Sequence, residues 1–303
     1  MTQLQHTIAR DASVTGKGLH TGKHVTVTFH PAPANHGVIF RRVDMPGQPL
    51  VHPCVHNVVD TSRGTSIMEN NAAVRTIEHL MAALAGLKIN NVLIDIDAEE
   101  TPILDGSSRL YVEALQAAGL QEQDQPVQYI TLSQPVTFEN AEKGIELCIT
   151  PADEFTIDMT VDYGTQVLAE QKAVLHSIDE FVPEIYKCRT FVFLHELQFL
   201  IMNNLVKGGD VDNAIVFVAQ KPEQAVLDQL AVFFGKSDIQ VMENGILNNI
   251  QLYFDNEPAR HKLLDLVGDL YLLGGPIKGH VTAKKTGHWA NVEFGKNILK
   301  AIQ

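Results

Sequence analysis

Two helical runs in this chain can be laid over each other by superposing one histidine from each, and no other feature limits the fold as much. TIEHLMAALAG, ending at Gly86, then faces ARHKLLDLVG, ending at Gly268, with the same spacing from His79 and His261 to the glycine. Most apolar positions between them also agree. A duplication of this kind implies two similar domains facing each other, each contributing a histidine. At 303 residues the chain is long for one compact core, which also suits two domains. The polar stretch QEQDQPVQ, residues 121–128, has a proline and no apolar periodicity, and reads as a linker. It divides the chain into 1–124 and 125–303.

Before the linker, Val25, Val27 and Phe29, then Val92, Ile94 and Ile96, alternate like strands. Helical runs cover Val74 to Leu87 and Ser108 to Ala118, the second capped by Ser107. After it come strand-like Tyr129 to Leu132, Glu146 to Thr150 and Phe155 to Val161, then a helix from Glu257 to Leu273, bounded by Asn256 and Pro258 at its start and Gly274-Gly275-Pro276 at its end. Both halves read as α+β.

Charged or polar residues break every apolar stretch, so no span reaches membrane length. The N-terminus has no signal-peptide pattern, and the expected location is the cytoplasm. Cys54, Cys148 and Cys188 are too scattered for a disulfide framework or a cysteine zinc knuckle. A formal charge of −13 argues against nucleic acid as a partner. Thirteen histidines are many for this length, and each is a candidate metal ligand or acid–base group.

In the helix from Glu257, the residues His261, Asp265 and Asp269 are spaced i, i+4, i+8, on one narrow stripe. His261 and Asp265, one turn apart, can ligate one divalent metal, with Asp269 behind them orienting a neighbour. The competing reading is a solvated face carrying an ordinary ion pair. His79 would complete a catalytic zinc set of three ligands, with Glu78 beside it as general base. Adjacent helical residues point about 100° apart, so this requires a metal between the two faces. His288 follows a strand-like Lys278 to Ala283 and sits in a Thr286-Gly287-His288 turn, from which it can project into a cleft. Arg260, Lys262, Lys278, Lys284 and Lys285 form the local basic group and hint at an anionic substrate. GKGLHTGK, residues 16–23, fails the spacing of a phosphate loop and reads as a glycine-rich hairpin beside the site.

Seven blocks in order, GKGLHTGK, TIEHLMAALAGL, PILDGSS, RTFVF, KGGDVDNAIV, ARHKLLDLVGDL and KKTGH, closely resemble the UDP-3-O-acyl-N-acetylglucosamine deacetylases, the zinc amidases committing the sugar to lipid A synthesis in Gram-negative bacteria. The resemblance runs nearly end to end. It implies two similar domains, each a sheet with helices on one face, the helices packed between two outer sheets. It implies zinc on His79, His261 and Asp265, Glu78 as base, His288 as the opposing cation and Asp269 as its orienting partner. Thr190 would help hold the oxyanion, Phe191 and Phe193 would line the binding region, and Lys262 would face the charge of the UDP-linked substrate. Two departures stand out: the stretch Gln220 to Phe254 is longer than in many members, and Glu196 replaces a frequent aspartate. Some relatives continue into a hydroxyacyl-carrier-protein dehydratase, so a fused or associated dehydratase is an expected partner. The alternatives are a zinc amidase for another acylated amine and a non-enzymatic sugar-nucleotide or lipid-binding protein with a structural metal, which would take four protein ligands.

Overall fold

The same strand connectivity occurs twice. The computed structural model describes residues 3–203, 205, 207–209, 212–248 and 250–302. Met1, Thr2 and Gln303 at the ends, Asp210 and Val211 of KGGDVDNAIV, and Asn249 of the 220–254 stretch lie outside the described residues. One sheet has the spatial order Ala12–Lys17, His24–Pro31, Val92–Ile96, Val38–Arg42, Leu50–Val51. The other runs Val136–Asn140, Ile145–Thr150, Ile277–Lys284, Phe155–Val161, Gln171–Leu175, and Ile130–Thr131 also pairs with its central strand. In both, the first three strands are antiparallel neighbours, the third and fourth are parallel, and the edge strand is again antiparallel.

The helices in chain order are α1 (Glu78–Gly86), α2 (Arg109–Ala118), α3 (Leu194–Met202), α4 (Gln224–Phe234), α5 (Glu257–Leu270) and α6 (His288–Ile302). A parallel strand pair needs a crossover, and α1 and α5 lie on the two equivalent ones. Alternation aims each sheet: Val25, Val27 and Phe29 are buried on one strand and Val92, Ile94 and Ile96 on its neighbour. Helices α1, α2, α5 and α6 pack between the outer sheets, where one apolar core runs through both halves, while α3 and α4 share a separate apolar cluster.

The repeated glycines are points of closest approach. A Cβ on Gly268 would lie 2.1 Å from the Glu78 carbonyl oxygen, and one on Gly86 would lie 2.0 Å from the Phe181 ring. The α1–α5 crossing therefore tolerates no side chain at Gly268.

Four local expectations are corrected. Most of the 121–128 run is a strand, Leu120–Pro126, antiparallel to Leu4–Ile8. The side chains of this strand are mostly exposed, so they need no apolar alternation. The helix expected from Val74 starts at Glu78, because Ala72–Val74 forms a strand and Thr76 takes φ +57°. The helix expected to reach Leu273 tightens after Leu270 into a 3-10 turn, Tyr271–Leu273, closed by Gly274 at φ +91°. His288 is the first residue of α6 and not a turn residue.

Each half carries an insertion between its edge strand and its main helix. In the first it is a small meander of Val58–Asp60, Ser66–Glu69 and Ala72–Val74. In the second, Phe191–Phe193 and Ile215–Phe217 pair in parallel through α3, and α4 follows. The glycine-rich segment is the expected hairpin, joining Ala12–Lys17 to His24–Pro31. Buried Glu100 holds its tip, accepting from the backbone N–H groups of His20 and Thr21, each at 2.9 Å.

Candidate metal centre

His79 lies in the first turn of α1 and His261 in the second turn of α5, and the helix crossing turns them toward one another. Their Nε2 atoms are 3.6 and 3.3 Å from Asp265 Oδ1, and the ring centroids are 5.0 Å apart. All three residues are buried, and one donor atom from each lies within 4.8 Å of the others. The stripe on α5 is thus an interior seam and not a solvated face, because α1 covers it. Glu78 and His79 both reach the site from adjacent positions. They occupy the first turn, where side chains tilt toward the helix N-terminus and converge beyond its end.

His261 Nδ1 lies 3.0 Å from the Cys188 carbonyl, which fixes the tautomer that donates there and leaves the Nε2 lone pair facing Asp265. Burial drives the His261 pKa down to about 3 against the pull of Asp265, so the ring is neutral, the form that ligates. Burial opposes the Asp265 charge, but His261, Lys262 and His288 hold its carboxyl well below the usual range. Lys262 Nζ donates to Asp265 Oδ2 at 2.8 Å. Asp265 Oδ1, by contrast, is buried without a hydrogen-bond partner. A divalent cation would satisfy this oxygen and both imidazole nitrogens together, and the donor set suits zinc.

Two further groups face the same space. Glu78 is buried, its Oε2 accepting the Thr65 N–H at 2.8 Å. Burial raises its pKa, with His288 and His79 pulling the other way. His288 Nε2 lies 4.0 Å from Glu78 Oε1 and 3.9 Å from Asp265 Oδ2. Its Nδ1 lies 2.9 Å from Asp269 Oδ2. Burial alone would lower the His288 pKa, but Asp269, Asp265 and Glu78 together push it up to about 9. The ring is therefore an imidazolium near neutral pH.

Of the remaining candidates, Lys262 and Phe191 adjoin this centre. The Lys262 ammonium sits 5.6 Å from the centroid of the Phe191 ring, whose edge contacts His261 at 6.3 Å between centroids. Thr190 donates its N–H to the Gly106 carbonyl at 2.8 Å. Thr190 and Phe191 line a cavity of about 700 Å³, with Leu19 and His20 from the hairpin and Leu200 and Phe234 from the insertion. Phe193 lies apart from that lining, nearly buried against Tyr163 and Phe217. Glu196 accepts the Phe193 N–H at 3.2 Å in the first turn of α3.

Sequence reasoning missed Thr65 and Asn291, which hold Asp269 with hydrogen bonds of 2.5 and 2.8 Å. It also missed Arg189, whose buried guanidinium pairs with Glu257 and pins the segment carrying the Cys188 carbonyl. Asn291 had a faint signal, a polar residue between Ala290 and Val292 just after KKTGH, whereas Thr65 lies in the polar run TSRGTS and had none.

A buried pair of histidines and an aspartate, with a carboxylate and an imidazolium facing it, could hold a single metal ion in a hydrolase. The family model of LpxC, UDP-3-O-acyl N-acetylglycosamine deacetylase, matches residues 5–230 and 235–300, and the chain belongs to that family. It is 36% identical over 306 residues to a UDP-3-O-acyl-N-acetylglucosamine deacetylase of Chlamydia pneumoniae, covering 100% of this chain and 99% of that protein. A protein of the same name from Idiomarina loihiensis is 40% identical over 299 residues, 97% of this chain and 89% of the relative. A protein of Chlorobaculum tepidum named bifunctional enzyme LpxC/FabZ is 44% identical over 98% of this chain. The chain spans only 64% of that relative's length.

Proposed function

We propose that the chain hydrolyses the N-acetyl group of a UDP-3-O-acyl-N-acetylglucosamine, releasing acetate and a free amine at the committed step of lipid A biosynthesis. In this reading His79, His261 and Asp265 hold zinc. The observation that carries it is the orphaned Asp265 Oδ1 between two buried imidazole nitrogens, with Glu78 and His288 facing the same space. A structural metal would call for a fourth protein ligand instead of a base and an acid.

A zinc ion bound by His79, His261 and Asp265 would supply Lewis acidity toward the acetyl carbonyl and water near neutral pH. Glu78 takes a proton from the water as its oxygen bonds to the carbonyl carbon. Its buried carboxylate is aimed by the Thr65 N–H, so little reorganisation is needed. The His288 imidazolium, held by Asp269, stabilises the oxyanion together with the Thr190 hydroxyl. As the C–N bond breaks, the nitrogen leaves as an amine with a proton from the Glu78–His288 pair. Lys262 meets the substrate's anionic portion, Phe191 flanks the sugar, and the cavity beside it takes the 3-O-acyl chain.

The same reading assigns 1–124 and 125–303 as the two domains, the cytoplasm as location, and a dehydratase, fused or associated, as partner. No helix of the described residues is long and apolar enough to cross a membrane. The test is incubation of zinc-loaded protein with the acylated UDP-sugar. Stoichiometric acetate release supports the activity, and none from a fully metallated sample refutes it.

A further inference from the structure

Thr65 touches both sides of the proton-transfer apparatus. Its backbone N–H donates to Glu78 Oε2 at 2.8 Å, and its hydroxyl donates to Asp269 Oδ1 at 2.5 Å. The other Asp269 oxygen is shared by His288 Nδ1 at 2.9 Å and Asn291 Nδ2 at 2.8 Å. Thr65 is itself fully buried, and its carbonyl accepts the Ile77 N–H at 3.1 Å, fastening it to the entry of α1. Gly64 before it lies so close to Glu78 that a Cβ would stand 2.7 Å from Oε1, at a φ of +150° that only glycine adopts easily. The loop therefore wraps the Glu78 carboxylate without a side chain intervening.

We propose that Thr65 is a positioning residue that sets the spacing between Glu78, from the first half of the chain, and the His288–Asp269 pair, from the second. The inference rests on the deacetylase reading above. Glu78 and Asp269 are both carboxylates and gain nothing from approaching one another. One residue donating to both converts that repulsion into a fixed separation, keeping His288 Nε2 at 4.0 Å from Glu78 Oε1. Without the hydroxyl, Asp269 keeps its donors from α6 but loses its tie to α1, and the imidazolium can drift relative to the base. A misplacement of about 1 Å at a reacting centre costs roughly 100-fold in rate.

The test compares Thr65→Val and Thr65→Ser with the parent. Valine keeps the shape and the backbone N–H to Glu78 but removes the link to Asp269, whereas serine restores a hydroxyl. Thr65→Val is expected to lower kcat about 10- to 100-fold, with KM within about twofold and zinc still bound one per chain. Thr65→Ser is expected to recover most of kcat. Melting temperatures are recorded for all, and Thr65→Ala replaces the valine variant in the comparison if that protein does not fold. Parent-like kcat in the variant without a hydroxyl, a change confined to KM, or a serine variant no faster would each overturn the proposal. A zinc-loaded parent that releases no acetate would instead refute the deacetylase reading.

Discussion

Replacing Asp269 with asparagine keeps the shape behind His288 and removes a negative charge. Of the three carboxylates around the ring, Asp269 is the nearest, at 2.9 Å, against 3.9 Å for Asp265 and 4.0 Å for Glu78. It also acts most strongly against the burial that would discharge the imidazolium, and the balance puts His288 at about 9. One opposite charge at such a distance shifts a pKa by about 1–3 units, each worth about 1.4 kcal/mol. The His288 pKa in Asp269→Asn should thus fall by about 2 units. In the proposed mechanism the imidazolium is the active form, so activity is lost as pH rises through this pKa, and lowering it moves the loss to lower pH. A bound dication also disfavours the imidazolium, so the parent's alkaline limb should lie at or below about 9. The same mechanism assigns the acid limb to Glu78, which must be ionised and whose pKa is raised by burial, and that limb should stay in place. The assay is kcat/KM for acetate release from about pH 5 to pH 10, with zinc content measured on every sample. Glu78→Ala run alongside should keep zinc, lose roughly 100-fold or more in turnover, and lose the acid limb. If the alkaline limbs of Asp269→Asn and parent superimpose, His288 is not the group that Asp269 holds charged.

His79→Ala, His261→Ala and Asp265→Ala should each weaken zinc binding severely, read by metal analysis after dialysis against a chelator, since two donors make a poor zinc site. Lys262→Ala should raise KM or lower kcat/KM with a smaller effect on zinc content, and added salt should weaken substrate binding less than in the parent; equal salt dependence would remove Lys262 from the substrate. Gly268→Ala places a methyl 2.1 Å from the Glu78 carbonyl oxygen, so the α1–α5 crossing must open, and thermal unfolding should show a loss of about 1–3 kcal/mol or more.

The repeat and the grouping of His79, His261 and Asp265 were legible because helical periodicity is local. A histidine and an aspartate four residues apart must share a helix face whatever surrounds them. What lay outside reach was what came from another segment. Thr65 acts partly through a backbone N–H, and Cys188 orients His261 through a carbonyl, atoms that every residue type offers. The stripe of His261, Asp265 and Asp269 could equally have faced water until α1 was found lying on it. The 121–128 run failed as a linker because a strand with mostly exposed side chains has the composition of a loop. His288 was expected to project from a turn, and it faces Glu78 and Asp265 from the start of a helix instead.

The order of strands has a consequence during synthesis on the ribosome. The middle strand of the first sheet, Val92–Ile96, emerges within the first third of the chain, so that sheet can close early. Its counterpart, Ile277–Lys284, is the last strand made, yet it separates Ile145–Thr150 from Phe155–Val161. Until it arrives these two flanking strands have no shared partner, and the insertion with α3 and α4 must wait on an unfinished support. A nascent chain stalled before residue 277 would thus expose two open strand edges to chaperones and proteases, while its first half was already folded.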